Sequence, residues 1–433
     1  MTIRKTSQQP DTRRGIFLNL SLFQFLCFVR RGVFYTFMIN YLYTLVGESA
    51  TLTTLLGTFN MIGSSLGQNL LWGKISDRYG LRAKLILTGE SIAAIAYFIV
   101  FQIHKSLINM QAYFSAGLSL IIGLSILEFF WSMSDVGWAA LLTDTTTTKT
   151  RGAIVGALNS IAALGRMIGI VFAGFLYDNG NGFSSGTIFY IVIGMLAVSA
   201  TIMWITSRST QKRTAKTEEL IIKDAPETSA RSDNGKIYKW FLLSLIVIIM
   251  GTACVSQIFL LFLPLTDGLA ASAPEMSLIL TAWTLGGMLT CLLCGRLADR
   301  FGRMKILFAS FILATLTPLF YGLAPDVLTM AFIYGLNGVS FWTIQTVGFA
   351  FAGDIIPEDR RGRLLSRYNM VVALSWGPAG LLIGGPLADL QTKRLGLSDH
   401  TAFINVFYAS AIIVTIGTLL FAVKVARSKQ KTN

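Results

Sequence analysis

The sequence is poor in charge, histidine and cysteine, on which most soluble enzymes depend. Charged residues make up 13% of its 433 positions and hydrophobic residues 53%, whereas a typical soluble domain has about 25% charged residues. A soluble protein this apolar would have to expose large hydrophobic patches to water. With two histidines and four cysteines, the chain also shows no nucleophile–base pair or metal-ligand cluster, so we expect neither an enzyme nor a metal or cofactor.

The few cysteines and histidines do not point to a redox or metal site. Each cysteine falls within an apolar stretch, at Cys27, Cys254, Cys291 and Cys294. The last two form a CxxC pair, which we interpret as small packing residues on one face of a hydrophobic helix. His104 and His400 fall in predicted outer loops, so no histidine is expected within a membrane helix.

The chain has instead a series of long apolar runs. The hydrocarbon core of a bilayer is ~30 Å thick, and a helix needs ~20 apolar residues to cross it. Breaks at charged, glycine and proline residues divide the sequence into twelve such runs, which predicts an all-α polytopic membrane protein surrounded by the lipid bilayer. The predicted spans are residues 17–46, 52–73, 84–103, 113–142, 152–177, 185–206, 239–264, 277–296, 305–323, 327–353, 363–387 and 402–424.

One long polar segment divides these spans into two sets of six. Residues 207–238 are rich in Lys, Glu, Ser and Thr, and cannot bury enough apolar surface to fold alone. We therefore predict an N-terminal six-helix lobe at residues 1–206, a cytoplasmic linker at 207–238 and a C-terminal six-helix lobe at 239–433.

The net charge of +14 is explained by where the basic residues lie. With both termini in the cytoplasm, the cytoplasmic segments contain 29 of the 36 Lys and Arg residues, as the positive-inside rule requires. We interpret the excess as the topology signal of a multi-pass protein of the cell (inner) membrane, and expect no nucleic-acid partner. Four basic residues fall inside predicted spans: Arg30, Arg31, Arg166 and Arg367. The last lies one turn into its helix and is expected to reach the cytoplasmic interface.

The two halves contain repeated motifs. Residues 73–82 read GKISDRYGLR after the second span, and residues 295–303 read GRLADRFGR after the eighth. Asp144 and the pair Arg151-Gly152 precede the fifth span, as Asp354 and the pair Arg361-Gly362 precede the eleventh. We interpret the lobes as duplicated, pseudo-symmetric units.

The repeated loop resembles the signature of the major facilitator superfamily, in which it occurs at the same two places. The resemblance covers the whole chain and implies the twelve-helix, two-lobe fold of that family, with the loops as a cytoplasmic latch, a contact between the lobes. In the first copy, Gly73 and Gly80 are expected to allow a tight turn and Asp77 to cap a helix N-terminus. Arg78 and Arg82 are expected to pair with carboxylates. The implied gating residues are Gly73, Asp77, Arg78, Gly80, Arg82, Gly295, Asp299, Arg300, Gly302 and Arg303.

The glycines of the fifth span indicate which branch of the superfamily the chain resembles. Its glycines, which include Gly165, Gly169 and Gly174, are spaced similarly to a motif of proton-coupled drug antiporters, but Ile170 stands where that motif has a proline. The arginine usual in the fourth span of that branch is also absent. Small residues let helices approach closely, and we favour that explanation of the glycines. The resemblance to bacterial efflux-type, small-solute members therefore favours export only slightly.

Charged residues near the centres of the spans are the candidate site. Each costs ~2.5–3.5 kcal/mol to insert, so it needs a partner or a water-filled cavity. Arg30 and Arg31 lie midway along the first span, Glu128 and Asp135 lie on one face of the fourth, and Arg166 is central in the fifth. The resemblance implies that spans one, two, four and five line a central cavity. A structural salt bridge from Arg30 or Arg31 to Glu128 is the alternative.

The remaining candidates are uncharged. Asn60 lies in the second span, and the C-terminal half offers Gln257, Trp342 and Gln345. Such a cavity suits a small organic molecule with an anionic or amphipathic part. Because no histidine is expected in a helix, proton binding is assigned to Glu128 and Asp135. Glu90 in the third span is interpreted as a peripheral or inter-helix contact.

We therefore predict a monomeric secondary active transporter that moves a small organic solute by alternating access, coupled to protons, with export slightly favoured. One alternative is an uptake carrier or flippase for an organic or lipid-like anion, with Arg30, Arg31 and Arg166 holding the anion. A second alternative is a non-transporting membrane receptor or sensor on the same fold, against which the two intact loop motifs argue.

Overall fold

The computed structural model describes residues 10–146, 151–214, 233–356 and 361–426, and within them helices occupy all twelve predicted positions. The N-terminal half contains α1 (Pro10–Leu45), α2 (Ala50–Leu66, continued by Gly67–Trp72 and Gly73–Tyr79), α3 (Arg82–Asn109), α4 (Tyr113–Thr145), α5 (Arg151–Leu176) and α6 (Thr187–Thr214). The C-terminal half contains α7 (Asp233–Phe262), α8 (Ala273–Phe301), α9 (Arg303–Tyr321), α10 (Val327–Ile355), α11 (Arg361–Trp376, continued by Gly380–Gly384, Gly385–Asp389 and Leu390–Arg394) and α12 (Asp399–Phe421, continued by Ala422–Ala426).

Most of these helices have the length and apolarity of membrane spans. Ten qualify, and the two parts of α8, Ala273–Thr290 and Leu293–Phe301, form an eleventh span that bends by 49°. The remaining one is α2, whose regular part Ala50–Leu66 has 17 residues before a π-helical turn. The described part of the chain contains no strand. The prediction of an all-α polytopic membrane protein is confirmed.

The helices on either side of the polar segment extend into it. α6 ends at Thr214 and α7 begins at Asp233, so helical ends occupy part of the predicted linker. A helix satisfies its own backbone hydrogen bonds and can therefore continue through polar residues beyond the bilayer. Residues 215–232 lie outside the described residues, and the division of the chain at 207–238 remains a prediction.

Glycines bring α1 against α5 at the level of the predicted site. A Cβ on Gly32 would lie 2.7 Å from the carbonyl oxygen of Arg166, and one on Gly169 would lie 2.9 Å from the carbonyl carbon of Val29. Both distances are too short for any larger residue, so the glycines allow the two backbones to touch. This contact places Arg31 and Arg166 on neighbouring helices at the wall of one cavity.

α8 and α10 approach each other in the same way in the C-terminal half. A Cβ on Gly286 would clash with the carbonyl oxygen of Gly335, and one on Gly338 would clash with that of Trp283. The contact holds the side of α8 that carries Trp283 against α10, at the wall of the same cavity.

Within the described residues, buried apolar clusters join the halves at one end of the bundle and not at the other. At the end away from the repeated loops, here called the opposite side, one cluster contains both Phe183 of the N-terminal half and Phe407 of the C-terminal half. At the end that carries the loops, here called the motif side, the cluster around Leu141 and the cluster around Phe351 each draw on one half alone. The structure is therefore closed on the opposite side.

Candidate functional site

A central cavity of about 220 Å³ lies between the two halves. The N-terminal half contributes Arg31 and Arg166 to its wall. The aromatic residues that line it are Tyr35, Phe259, Trp283, Tyr321, Tyr334, Phe341 and Trp376. Two positive charges and a largely aromatic surface, most of it from the C-terminal half, therefore enclose the same space.

A second cavity of about 260 Å³ adjoins the first. Arg31, Gln257 and Trp376 line both cavities, and Asn60 and Glu128 line the second. The structure thus brings candidate residues from α1, α2, α4, α5 and α7 together around connected space at the centre of the bundle.

A third cavity, of about 410 Å³, leads from the centre to the motif side. Trp376 lines its inner end, and Gln345, Tyr368 and Asn369 line its wall. Gln345 lies on the part of α10 that runs towards the motif-side loop, and Tyr368 lies near the motif-side start of α11. The central space is therefore approached from the motif side.

Arg30 lies behind the cavity wall in a buried ion pair with Glu90. Its Nη1 atom is 3.2 Å from Glu90 Oε2, and these side chains are 4% and 0% exposed. Glu90 Oε1 accepts a second hydrogen bond from Trp131 Nε1 at 2.7 Å. The alternative of a bridge from Arg30 to Glu128 is wrong, because the packing of α3 against α1 provides a nearer carboxylate. Glu90 is an inter-helix contact, as predicted, but it is not peripheral.

Trp131 contacts both arginines of α1. The guanidinium carbons of Arg30 and Arg31 lie 4.3 Å and 4.4 Å from its ring centroid, a cation–π geometry. Arg31 Nη2 is also 3.4 Å from Asp135 Oδ1, and both of those side chains are partly exposed. Arg31 is therefore held at the cavity wall by a ring and by Asp135, so its bridge is to Asp135 rather than Glu128. Trp131 was not identified from the sequence, since an aromatic residue in a membrane helix is usually a packing residue.

Glu128 lines the second cavity with one carboxylate oxygen unsatisfied. Within the described residues, Oε2 is buried and accepts no hydrogen bond. One turn before it, Ser125 Oγ donates to Asn60 Oδ1 at 3.1 Å and connects α4 to α2. A buried oxygen without a partner costs free energy, so a proton or a bound solute would stabilise Glu128 in this position.

Arg166 extends into the first cavity and is exposed there. Its guanidinium carbon is 5.6 Å from the ring centroid of Trp283. Among the described ion pairs, those of the membrane-embedded arginines are Arg30 with Glu90 and Arg31 with Asp135, and Arg166 takes part in none. A charge inside the membrane normally has a counter-charge or water, so Arg166 is available to a solute.

Hydrogen bonds fix the orientation of Trp283. Its Nε1 donates to Asn337 Oδ1 at 3.1 Å, and Asn337 Nδ2 donates to Thr317 Oγ1 at 3.2 Å. The predicted candidate Trp342 packs on Gly287 of α8, whereas the adjacent Phe341 lines the first and third cavities. A one-residue difference on a helix changes the face by about 100°, and no feature of the sequence distinguishes these two aromatic positions.

The first repeated loop ends α2 with a left-handed glycine. Gly80 has φ 62°, whereas Gly73 is helical with φ −58°. The expected turn at Gly73 is therefore wrong, because only the residue after the helix end needs the left-handed conformation. Arg82 donates to Asp144 Oδ2 at 2.9 Å and to the carbonyl oxygen of Ser76 at 2.6 Å, which matches its expected pairing.

Asp77 does not cap a helix N-terminus in this structure. Its side chain is 88% exposed and lies 3.9 Å from Arg82 Nη1. Arg78 lies over the ring of Tyr79, at 5.5 Å, where a carboxylate partner was expected. These expectations fail because the halves are separate on the motif side, where the implied latch would join them.

The second loop repeats the pattern in the C-terminal half. Gly302 has φ 93°, and Gly295 lies within the helix. Arg303 pairs with Asp354 and is 3.8 Å from Asp299, while Arg300 lies over the ring of Phe301. Each loop arginine that pairs with a carboxylate thus does so within its own half.

Asp389 of α11 joins the halves on the opposite side. Its carboxylate accepts hydrogen bonds from Ser49 Oγ at 2.6 Å, from Ala50 N at 2.9 Å and from Thr51 N at 3.1 Å. These donors form the start of α2, so a residue of one half caps a helix of the other. The α11 backbone is also very close, since a Cβ on Gly385 would lie 2.7 Å from the Cα atom of Thr51.

Three further hydrogen bonds cross between the halves. Tyr43 Oη donates to Asp399 Oδ2 at 3.1 Å. Asn40 Nδ2 donates to the carbonyl oxygen of Leu260 at 2.7 Å, and Thr58 Oγ1 donates to that of Gly377 at 3.0 Å. Together with the Asp389 cap they close the opposite side above the cavity.

Both histidines lie in helices, so their placement in loops was wrong. α3 continues to Asn109, six residues past its predicted end, and His104 is fully buried in it with Nε2 2.7 Å from Tyr41 Oη. His400 lies in the first turn of α12. Neither lines the cavities described above, so Glu128 remains the acidic residue at their wall.

The cysteines and acidic residues show no metal site in the part of the chain described. Cys27, Cys254 and Cys294 are buried, and the side chain of Cys291 lies outside the described residues. No group of three or more His, Cys, Asp or Glu residues among those described could hold a metal ion.

Comparison with known proteins identifies the family. A sequence model described as "Major Facilitator Superfamily" matches residues 20–269 and, in a second match, residues 243–433. The chain belongs to the Major Facilitator Superfamily. The resemblance inferred from the repeated loops is confirmed, and with it the prediction of a multi-pass membrane protein.

Individual members of the superfamily are similar over part or all of the chain. "Putative metabolite transport protein YncC" of Bacillus subtilis is 33% identical over 25% of this chain and 21% of its own length. "Multidrug resistance protein 2" of Bacillus subtilis is 27% identical over 35% of this chain and 36% of its own length. The chain thus covers a fifth to about a third of the length of these curated relatives. A crystal structure of the nucleoside transporter NupG superposes with a TM-score of 0.67 over 94% of this chain and 99% of that one, at 14% identity, and shows the shared fold.

Proposed function

We propose that this member of the superfamily is a secondary active transporter that moves a small organic solute by alternating access. The observation that carries the proposal is a central cavity between two halves that are joined on the opposite side and separate on the motif side. In such carriers the solute binds near the membrane midplane, and rocking of the halves exposes it to one side and then the other. The structure corresponds to the state open to the motif side.

The motif side is assigned to the cytoplasm of a cell whose inner membrane holds the protein. This assignment is supported by the 29 of 36 basic residues that lie on that side, as the positive-inside rule requires. Both termini are then cytoplasmic, and the structure faces inward. Because the cavity lies between the two halves of one chain, a monomer is the proposed transporting unit.

Protons are the proposed coupling ion, and Glu128 and Asp135 are the proposed carriers. Glu128, at the wall of the second cavity, has a carboxylate oxygen without a hydrogen-bond partner. Asp135 pairs with Arg31, which lines the same cavity. Rocking of the halves changes the access of water to these groups, so each can gain a proton in one state and release it in the other.

Reconstitution into liposomes with an imposed pH gradient tests the coupling. Glu128→Gln should abolish pH-driven accumulation of solute but leave exchange of solute across the membrane without a gradient. Asp135→Asn should weaken accumulation, because Arg31 loses its partner. Normal pH-driven accumulation in both variants would contradict the assignment of these carboxylates.

Export is the proposed direction, and the similarity to the relative named multidrug resistance protein 2 supports it. The alternative, uptake of an organic anion, is favoured by Arg166, which has no carboxylate partner among the described ion pairs. The same liposomes separate the two: a proton antiporter accumulates solute in the acidic compartment, whereas a carrier that moves proton and solute together accumulates it in the alkaline one.

A further inference from the structure

We infer that the solute of this transporter is a small aromatic acid, a single ring bearing one carboxylate. The carboxylate binds Arg166, and the ring packs against the aromatic wall supplied by the C-terminal half. This inference rests on the proposed transport function and names the chemical class of its solute.

The charges at the first cavity select an anion. Its lining contains Arg31 and Arg166 and no acidic side chain. Arg31 is already paired with Asp135, which leaves the guanidinium of Arg166 as the unneutralised charge. A guanidinium binds a carboxylate through two parallel hydrogen bonds, and a cation in the same place would be repelled by both arginines.

The wall near Arg166 selects a planar ring. Trp283, whose ring centroid is 5.6 Å from the guanidinium carbon, is held in place by its hydrogen bond to Asn337. Phe341 lies beside it with a centroid separation of 5.3 Å, and Trp376 continues the surface at 4.9 Å from Phe341. Aromatic rings pack against such a surface in tilted or offset arrangements.

The first cavity by itself has room for about one ring. An apolar protein cavity of ~150 Å³ holds a benzene molecule. At about 220 Å³, the first cavity holds one ring with a carboxylate and a short substituent. Larger solutes would have to displace Arg31 or extend into the second cavity.

A matched set of ligands tests the inference on the purified full-length protein. Isothermal titration would compare benzoate and phenylacetate with cyclohexanecarboxylate, which has the charge without the aromatic ring. Benzamide keeps the ring without the charge, benzylamine reverses the charge, and a nucleoside represents the solute named for NupG. We expect the aromatic carboxylates to bind at least fivefold more tightly than every other compound. Tighter binding of benzylamine, benzamide or the nucleoside would overturn the inference.

Arg166 is tested by two substitutions and a control. Arg166→Gln should weaken benzoate binding tenfold or more, while Arg166→Lys should retain part of the affinity because it keeps the charge. Arg367→Gln, which removes an exposed arginine of α11 that does not line the first cavity, should bind benzoate normally. Equal benzoate affinity in Arg166→Gln and Arg367→Gln, both with native thermal unfolding, would contradict the site.

The transport function is tested separately from the solute. Spin labels at Lys105→Cys and Leu395→Cys, exposed positions on the opposite-side ends of the two halves, report whether that side opens. If that side opens and closes but aromatic acids do not bind, the proposed solute class is wrong and the proposed transport function stands. Binding of benzoate without any change in the label distance and without movement into liposomes would contradict the transport function instead.

Discussion

The two halves of the protein contribute different surfaces to the same cavity. The N-terminal half supplies Arg31, Glu128 and Arg166, whereas the C-terminal half supplies rings such as Trp283 and Tyr334. Both halves therefore have six helices and a loop motif, while the charged residues at the cavity wall come from the N-terminal half.

Ion pairing follows the same division. Arg30 pairs with Glu90 and Arg31 with Asp135 inside the N-terminal half, and the loop arginines Arg82 and Arg303 each pair within their own half. A movement of one half against the other would therefore break none of these pairs, and the buried pair of Arg30 and Glu90 would be expensive to separate in a low-dielectric interior. The polar contacts that do cross are hydrogen bonds, such as those of Asp389, which are easier to break and reform.

The largest effect is expected from breaking the buried pair of the N-terminal half. Glu90→Leu leaves Arg30 without a counter-charge and Trp131 without its acceptor, and should lower the free energy of unfolding by about 3–5 kcal/mol. Thermal unfolding in detergent measures the loss. The double variant Arg30→Met, Glu90→Leu removes both charges and should recover most of the stability; a double variant as unstable as Glu90→Leu would show that the pair is not the cause.

The protonation state of Glu128 should affect the affinity for the solute, because it changes the net charge around the connected first and second cavities. With Glu128 protonated, Arg31, Arg166 and Asp135 give a formal charge of +1; loss of the proton reduces it to zero. Benzoate should therefore bind more tightly as the pH falls, by several-fold across the titration of Glu128, and Glu128→Gln should lose that part of the pH dependence. Isothermal titration over a pH series measures both.

The groups around Glu128 supply the control for that measurement. α1 faces it with Arg30, Arg31 and Tyr35, α3 with Tyr97, and its own helix with Asp135. From α2, α7 and α11 it is faced by Asn60, Gln257 and Trp376, which do not titrate. Asp135→Asn should keep the part of the pH dependence that is due to Glu128, which Glu128→Gln loses. Tighter binding at low pH is the sign expected for movement of proton and anion together, which is the uptake alternative, whereas affinity that rises with pH would support the proposed export by antiport.

A substitution of Asp389 tests the contact that holds the halves together on the opposite side. Asp389→Ala removes the cap on α2, at a cost of about 1 kcal/mol to the state open to the motif side, which corresponds to a shift of about fivefold towards a state open to the opposite side. Spin-label distances between Lys105→Cys and Leu395→Cys would show the shift. Asp326→Ala is the matched control, because Asp326 caps α10 within a single half and should leave the distance distribution unchanged.

The smallest effect is expected from substitutions of two tryptophans, Trp283 at the cavity wall and Trp342 behind it. Trp283→Leu should weaken benzoate about fivefold, whereas Trp342→Leu should leave its affinity within twofold and lower only stability, since Trp342 packs on Gly287 behind the cavity. Titration of the two variants with benzoate measures the difference. A larger loss of affinity in Trp342→Leu would place the solute on the other face of α10.

The fold class and the place of the site follow from the order of the residues alone. Long apolar runs require helices in a bilayer, because no other local structure satisfies the backbone there, and the repeated loops were enough to predict the family. Ionisable residues inside those runs drew attention to Arg31, Glu128 and Arg166, which line the cavity.

Which charges are free and which are paired is a property of the packed helices. Arg30 and Arg31 are adjacent in the sequence, yet one is buried against Glu90 and the other lies at the cavity wall beside Asp135. The distinction depends on which helix packs against each face of α1, and helical periodicity contains no information about that choice. The same holds for Phe341 against Trp342, and for Asp389, whose role as a cap exists only because α2 of the other half begins beside it.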